Sequence, residues 1–329
     1  MEGVHHLEIV ILLLAVVLAL TTVARKIFRR LREKAGLVSG FSDIEMHLWM
    51  LRDDARAEAF ERALTKAIRP GDVVVDVGAG TCLLSMMACR AGAARVYAIE
   101  ETGIIDLART LVRQNGFADR IVLLRGNSGR IRLPESADVV VSETIGSFVF
   151  SEAILETMED ARRRFLKPGG ILIPGQISIK VAPVESWQEG IGFLERPVRG
   201  FDYRAAAELF DSGTVLAAKA IGKGHLLDDA RPLYEIDFSA GAGITNFDRT
   251  LEFTARRDGV LHGFVGTWRA RLHDDVDLIC EPGGPPVHWP PLLFPLANYR
   301  WPAKVVGGAL PCAPSLLCGR HGNAAPTMA

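Results

Sequence analysis

The sequence has no excess of charge of either sign. Its 38 Lys and Arg are matched by 39 Asp and Glu, for a formal net charge of −1. Without a global basic bias, a nucleic-acid partner is not expected. Cysteine is scarce, with five in 329 residues. Cys82, Cys89, Cys280, Cys312 and Cys318 are odd in number and scattered in spacing, so they give no metal-ligand pattern. They read as reduced thiols, and no metal is expected. Internal repeats are lacking too. From Pro282 onward there is no acidic residue, and the chain there is rich in proline, glycine and alanine without the alternation of a strand. The tail, residues 302–329, is expected to be irregular and loose.

What the chain does have is apolar residues, 49% of the total, enough for a sizeable core in one large domain or two ordinary ones. Near the N-terminus, Leu7 to Ala24 carries no charge from Ile9 onward. At about 1.5 Å per residue it just reaches across a hydrocarbon core. Glu2 and Glu8 precede the run, and the basic stretch Arg25 to Lys34 follows it. A secretory signal has its positive charge before the apolar run. The reverse asymmetry predicts an uncleaved single-pass anchor, residues 1–36, in contact with the membrane and with the folded domain in the cytoplasm.

Residues 37–174 alternate helical and strand patterns. Phe41 to Ile68 has helical spacing and is stopped by Arg69-Pro70-Gly71. DVVVDVGAG, a β-branched run ending in glycines, is followed by an apolar helix. RVYAIE, IVLLRG, ADVVVSE and GGILIP read as further strands, with helices at TGIIDLARTLVRQNG and AILETMEDARRRFL. This order predicts an α/β fold with a doubly wound, Rossmann-like parallel sheet. Residues 175–301 have a different rhythm. ISIKVAPVES, YEIDFSA, RTLEFTARRDG and LHGFVGTWRARL read as strands without crossover helices, and Ala205 to Ile221 reads as helical or mixed.

Asp76-Val77-Gly78-Ala79-Gly80 lies where the first strand turns into its helix, and Glu100 ends the second strand. Glycines there let a ligand approach the backbone, and an acid at that strand end can accept both hydroxyls of a ribose. A dinucleotide fingerprint needs a third glycine, but the run reads GAGTCL. A ligand with a sugar and no pyrophosphate, such as S-adenosyl-L-methionine, suits the pattern better than NAD.

SETIGSFVFSE, Ser142 to Glu152, places Glu143 and Glu152 nine residues apart in a loop otherwise small or apolar. Such carboxylates are costly to keep without a partner cation. That cation is either a ligand or an internal Lys or Arg, with Arg162 to Arg164 nearby in sequence.

Taken together, these segments resemble the protein arginine N-methyltransferase family, over roughly Phe41 to Tyr299. The family's HxxMLxDxxR pattern is matched by His47, Met50, Leu51, Asp53 and Arg56; its cofactor core by DVGAGT through VYAIE; its double-glutamate loop by SETIGSFVFSE; and its THW loop by Val287-His288-Trp289 before PPLLFPL. The resemblance implies a Rossmann-like methyltransferase domain, a β-barrel-like domain at 175–301 for substrate and dimerisation, and often a homodimer. It implies S-adenosyl-L-methionine contacts from His47, Arg56, Asp76, Gly78, Gly80, Glu100, Gly126 and Ser128, with Arg56 on the methionine carboxylate. Glu143 and Glu152 would grip the guanidinium of a protein or peptide arginine, supported by an Asp53–His288 pair, with Met50 and Trp289 in the substrate pocket. Cys82 stands where the family usually has glycine, Gly129 near where an acid often contacts adenine, and Ser147 in place of a common aromatic. Three readings follow: a membrane-anchored protein arginine N-methyltransferase, a small-molecule N-methyltransferase, and a non-catalytic, membrane-tethered binding or assembly protein on the same fold.

Overall fold

The computed structural model describes residues 44–149, 152–185, 196–207, 216–241 and 250–295. Two helices open it, α1 (Ile44–Leu51) and α2 (Asp54–Ala67). The single helix expected over Phe41 to Ile68 is therefore broken at Arg52-Asp53. The break has a local cause: the Asp53 carboxylate accepts the backbone N–H of Arg56 at 2.9 Å, the N-cap bond that starts a helix.

A parallel sheet follows, built from β1 (Val73–Val77), β2 (Arg95–Glu100), β3 (Ile121–Arg125), β4 (Ala137–Ser142) and β5 (Leu166–Ile173). Its order is β3-β2-β1-β4-β5, and every neighbouring pair is parallel. Helices α3 (Leu83–Ala91), α4 (Ile105–Gln114) and α5 (Ile154–Arg164) lie in the connections. The chain winds outward from β1 to β3, then returns to place β4 on the other side of β1. That reversal makes a crevice at the carboxyl ends of β1 and β4, where open α/β sheets bind ligands. The near-continuous apolar strands Val73–Val77 and Ala137–Ser142 suit a parallel sheet covered on both faces.

The second half is antiparallel. Strands β6 (Gln176–Val184), β7 (Leu216–Ala217), β8 (Arg231–Asp237), β9 (Gly263–His273), β10 (Val276–Cys280) and β11 (Leu292–Pro295) form one sheet ordered β7-β11-β9-β6-β8, with β10 also on β9. Where a barrel-like domain is implied, the described strands thus make an antiparallel sheet. RTLEFTARRDG forms no strand over its described residues, 250–259. Helix α2 packs against β9 and β10, and β5 meets β9. One apolar cluster runs through both halves, from Phe60, Val75 and Val140 to Ile177, Trp268 and Leu272.

The expectation of a single-pass membrane protein does not stand: among the described residues no helix is long and apolar enough to cross a membrane. The run Leu7 to Ala24, the basic stretch after it and the tail beyond Pro302 lie outside the described residues.

Candidate active site

The strand ends aim their loops at one cavity of about 470 Å³. Gly78 and Gly80 follow β1, Glu100 ends β2, Gly126 follows β3 and Glu143 follows β4. Gly78 and Gly80 have φ of +74° and +54°, conformations that favour glycine. A Cβ at Gly78 would come within 2.8 Å of Thr144 Cγ2, and one at Gly80 within 3.0 Å of His47 Cε1. The loop is therefore pressed between α1 and the end of β4, with its backbone bare toward the cavity. Glu100 is fixed by two backbone donors, Gly80 N–H on Oε2 at 2.9 Å and Thr102 N–H on Oε1 at 2.7 Å.

His47, Arg56, Asp76, Gly78, Gly80, Glu100, Gly126 and Ser128 all line this cavity, and so do Met50, Glu143 and Glu152. Eleven of the fourteen residues singled out in the sequence therefore share one space. The other three, Asp53, His288 and Trp289, line a second cavity of about 940 Å³. They are linked to the first through the turn into α2. Asp53 Oδ2 accepts the backbone N–H of His288 at 2.7 Å and lies 2.8 Å from its Nδ1. The His288 ring stacks on Trp289 with centroids 3.6 Å apart, and Trp289 meets Trp268 edge-on. Burial pushes the Asp53 carboxyl up, but its bonds to His288 and to the Arg56 N–H outweigh that and hold it below its ordinary value.

Glu143 has an internal partner: Arg56 Nη1 donates to its Oε2, while Arg56 Nη2 donates to the Met50 carbonyl at 2.9 Å. Of the two cation sources open in the sequence, an internal arginine thus meets Glu143, and it is Arg56 rather than Arg162 to Arg164. Even so, burial drives the Glu143 carboxyl up to about 7, with the nearby charge of Glu152 adding to it and those of Arg56 and His288 working against it. Burial also raises Glu152. Asp76, wholly buried on the same cavity, is pushed up to about 6 by burial and by Glu100, against the hydrogen bond it accepts from Ser85 Oγ. Two buried side-chain atoms of this cavity have no hydrogen-bond partner among the described residues: Asp76 Oδ1 and Arg56 Nε. One lacks a donor and the other an acceptor. The cavity is thus an acid-rich space with raised carboxyls, suited to a ligand that brings positive charge.

The loop between the glutamates is strained and externally held. Val149, between the glutamates, and Ala153, directly after the second, have φ of +66° and +56°, a left-handed region that non-glycine residues rarely enter. Phe148 anchors the loop edge-on against Phe294 of β11, centroids 5.1 Å apart, and over Gly266 of β9. A side chain at Gly266 would collide with the Phe148 ring. Cys82, also left-handed at φ +64°, caps α3 with its side chain fully buried. Glycine would hold that turn without the roughly 1–2 kcal/mol a side chain costs there.

Some cavity residues were not singled out from the sequence: Glu101, Thr102, Asn127, Thr144 and Thr157. Glu101 and Thr102 directly follow the strand-end acid, and Thr144 follows the first loop glutamate, so adjacency is a usable signal. Thr157 has none.

A family profile described as "Ribosomal protein L11 methyltransferase (PrmA)" matches residues 60–195, which hold the parallel sheet. Protein arginine N-methyltransferase 2 of Dictyostelium discoideum is 31% identical over 73% of this chain and 49% of its own length, so the chain spans about half of that relative. Protein arginine N-methyltransferase 1 of Schizosaccharomyces pombe is 31% identical over 77% of each chain. The solved "Trypanosoma brucei PRMT1 enzyme-prozyme heterotetrameric complex with AdoHcy" superposes with a TM-score of 0.72 at 26% identity, covering 82% of this chain and 86% of that one. The L11 profile covers residues 60–195, whereas the arginine-methyltransferase relatives match 73% and 77% of the chain. The chain belongs to the protein arginine N-methyltransferase family.

Proposed function

We propose that this chain is an S-adenosyl-L-methionine-dependent methyltransferase acting on a guanidinium nitrogen of protein arginine. The observation that carries this is the pairing of Glu143 with Glu152 on one cavity whose other wall is the Gly78–Gly80 loop and Glu100. S-adenosyl-L-methionine fits the residues present. Its ammonium and carboxylate complement the unpartnered Asp76 Oδ1 and Arg56 Nε. Glu100 is aimed to accept from a ribose, and the walls at Gly126 and Ser128 are left for the base. When bound, the cofactor supplies an electrophilic sulfonium methyl group.

The chain's own part is to hold and prepare the guanidinium. A guanidinium is protonated and delocalised, with a pKa above about 12, so it is a poor nucleophile. One carboxylate can take two of its N–H groups bidentately. The other draws positive charge toward one nitrogen and leaves its neighbour richer in electron density. Arrival of the cation also favours the ionised form of Glu143, whose carboxyl burial has raised. Asp53 acts one step back, fixing the His288 loop against the start of α2. Met50 limits the space around the target nitrogen.

A protein substrate is favoured over a small molecule by the second cavity. It is lined by Asp53, Asp54, Glu58 and Glu281, against Arg52 and Lys219, and suits a basic polypeptide passing the His288 loop. The non-catalytic reading has no use for two raised, buried carboxyls. A homodimer and a division into domains at 37–174 and 175–301 belong to this proposal. Sedimentation equilibrium and limited proteolysis test them.

The activity is tested by incubating the purified chain with methyl-labelled S-adenosyl-L-methionine and an arginine-containing peptide. Label on the arginine side chain, absent with Glu143→Gln and Glu152→Gln, is the expected result. Cofactor binding with no label on any peptide or small amine favours the non-catalytic reading.

A further inference from the structure

Helix α5 begins two residues after Glu152 and ends at Arg164, whose guanidinium reaches back to the cofactor side of the cavity. Arg164 Nη2 donates to the Ser128 carbonyl at 2.6 Å, and Nη1 donates to the Ile131 carbonyl at 2.8 Å. Its Nε donates to Asp160 Oδ1 at 2.7 Å, Nη2 also meets Asp160 Oδ2, and the group lies 4.5 Å over the Phe165 ring. One planar fork thus spans the turn Ser128–Arg130 while a carboxylate and an aromatic face fix its orientation.

The far side of the turn gains most from such a hold. The turn runs between Gly126, at φ +146°, and Gly129, and glycines leave a backbone pliable. Within it, Asn127 Oδ1 accepts from Gly129 N–H and its carbonyl from Arg130 N–H. Its start is tied to the end of β2, with Gly126 N–H donating to the Glu100 carbonyl at 3.0 Å and Asn127 Nδ2 to Glu101 Oε2 at 2.9 Å, while Arg164 ties its far side to α5. Gly126, Asn127 and Ser128 form a wall of the cavity. The bland alternative is a surface i,i+4 ion pair, Arg164–Asp160, with side chains 32% and 30% exposed. Such a pair alone contributes little, and it does not account for two further bonds to carbonyls of another element.

We propose that Arg164 is a positioning residue for the cofactor: by clamping the Ser128–Arg130 turn to the end of α5, it sets the wall against which the adenosyl part rests. This deepens the reading above, since it assumes that the cavity holds S-adenosyl-L-methionine. It also makes α5 a rigid strut with the substrate glutamate at one end and the cofactor wall at the other. A lysine cannot replace the arginine fully, because an ammonium lacks the fork that reaches both carbonyls.

The test is calorimetric titration of the full chain with S-adenosyl-L-homocysteine, for the unaltered protein and for Arg164→Ala, Arg164→Lys and Asp160→Asn, alongside steady-state methylation of an arginine peptide. Arg164→Ala should weaken binding roughly tenfold or more and raise the cofactor KM in step, while kcat at saturating cofactor stays within about twofold. Arg164→Lys should recover only part of the loss. Asp160→Asn keeps the arginine and frees its orientation, so it should move the same way by a smaller factor; it serves if Arg164→Ala does not fold. If the unaltered chain binds S-adenosyl-L-homocysteine and the variants bind equally well, this inference alone is overturned. The same holds if only kcat falls, in proportion to lost folded protein. If the unaltered chain does not bind the ligand, the cofactor reading falls and this inference with it.

Discussion

Replacing Glu143 by Gln should make the ligand-free protein more stable at pH 8 while stopping turnover. The side chain is buried beside Arg56, and burial lifts its carboxyl from 4.5 to about 7 in the folded state. That displacement corresponds to about 3 kcal/mol by which folding disfavours the ionised form. Because the raised value already includes the attraction of Arg56, the amide, which mimics the protonated acid and still accepts from Arg56, removes the whole penalty. The pH window follows from the direction of the shift. Below 4.5, Glu143 is protonated in both states and costs nothing. As pH rises, the unfolded chain ionises first, so the wild type loses stability until the folded group has also ionised above about 7. Asp76, pushed up to about 6, adds a similar loss to both proteins, so the difference between wild type and variant isolates Glu143. Urea denaturation at pH 4.5 and pH 8, both without ligand, reads the effect. The two proteins should nearly agree at the lower pH and differ by up to about 3 kcal/mol at the higher, which is up to about 4 °C in melting temperature. A variant that is less stable at pH 8, or a difference that does not change with pH, refutes the reasoning. The first outcome would mean that Arg56, left without a charged partner, dominates instead.

Glu152→Gln should leave S-adenosyl-L-homocysteine affinity unchanged in calorimetry but cut arginine methylation about 10²-fold or more, and the double change at Glu143 and Glu152 should cost little beyond the worse single one. Glu100→Ala removes the acceptor of Gly80 and Thr102 N–H and the ribose contact together; binding of S-adenosyl-L-homocysteine should weaken on the order of hundredfold. Asp53→Asn keeps a good helix cap but loses the charged partner of His288, so denaturation at pH 7 should show a loss of about 1–2 kcal/mol. The Asp53 carboxyl is held low, so that contribution exists above 3.8 and fades as pH falls through its lower folded value; wild type and variant should converge in acid. Gly266→Ala should displace Phe148, destabilise the fold by about 1–3 kcal/mol and reduce turnover more than cofactor affinity, which single-turnover kinetics separates.

The parallel sheet was readable because its signals are short-range: valine runs such as Val73–Val77, glycines at the strand end and amphipathic crossovers declare themselves within a few residues. The cavity was readable for the same reason, since doubly wound topology collects every strand end at one edge, so Gly78, Glu100 and Glu143 had to converge. What escaped depends on partners far apart in sequence. The Arg56–Glu143 pair joins residues 87 positions apart, and nothing local marks it. The break at Arg52-Asp53 was hidden because the helical period of apolar residues continues across it, although aspartate is a strong cap. Val276–Cys280 became a strand and 250–259 did not because a sheet strand is decided by its neighbours; β10 exists by pairing with β9. The apolar run Leu7 to Ala24 is the opposite case, a strong local hydropathy signal in a segment that lies outside the described residues.

The seat of Phe148 over Gly266 has a consequence for recombining this chain with its relatives. The loop that carries both glutamates belongs in sequence to the parallel sheet, yet it rests on β9 and β11 of the antiparallel one. A chimera cut between Ile173 and Gln176, with the front half taken from one homologue and the rear from another, inherits the carboxylates from one parent and the floor beneath them from the other. On the proposed activity, a rear half bearing alanine or larger at position 266 would receive the graft and bind cofactor, with the two glutamates aimed wrongly at an arginine. Glycine there is therefore the first residue to match when recombining halves, ahead of any residue that touches the reactants.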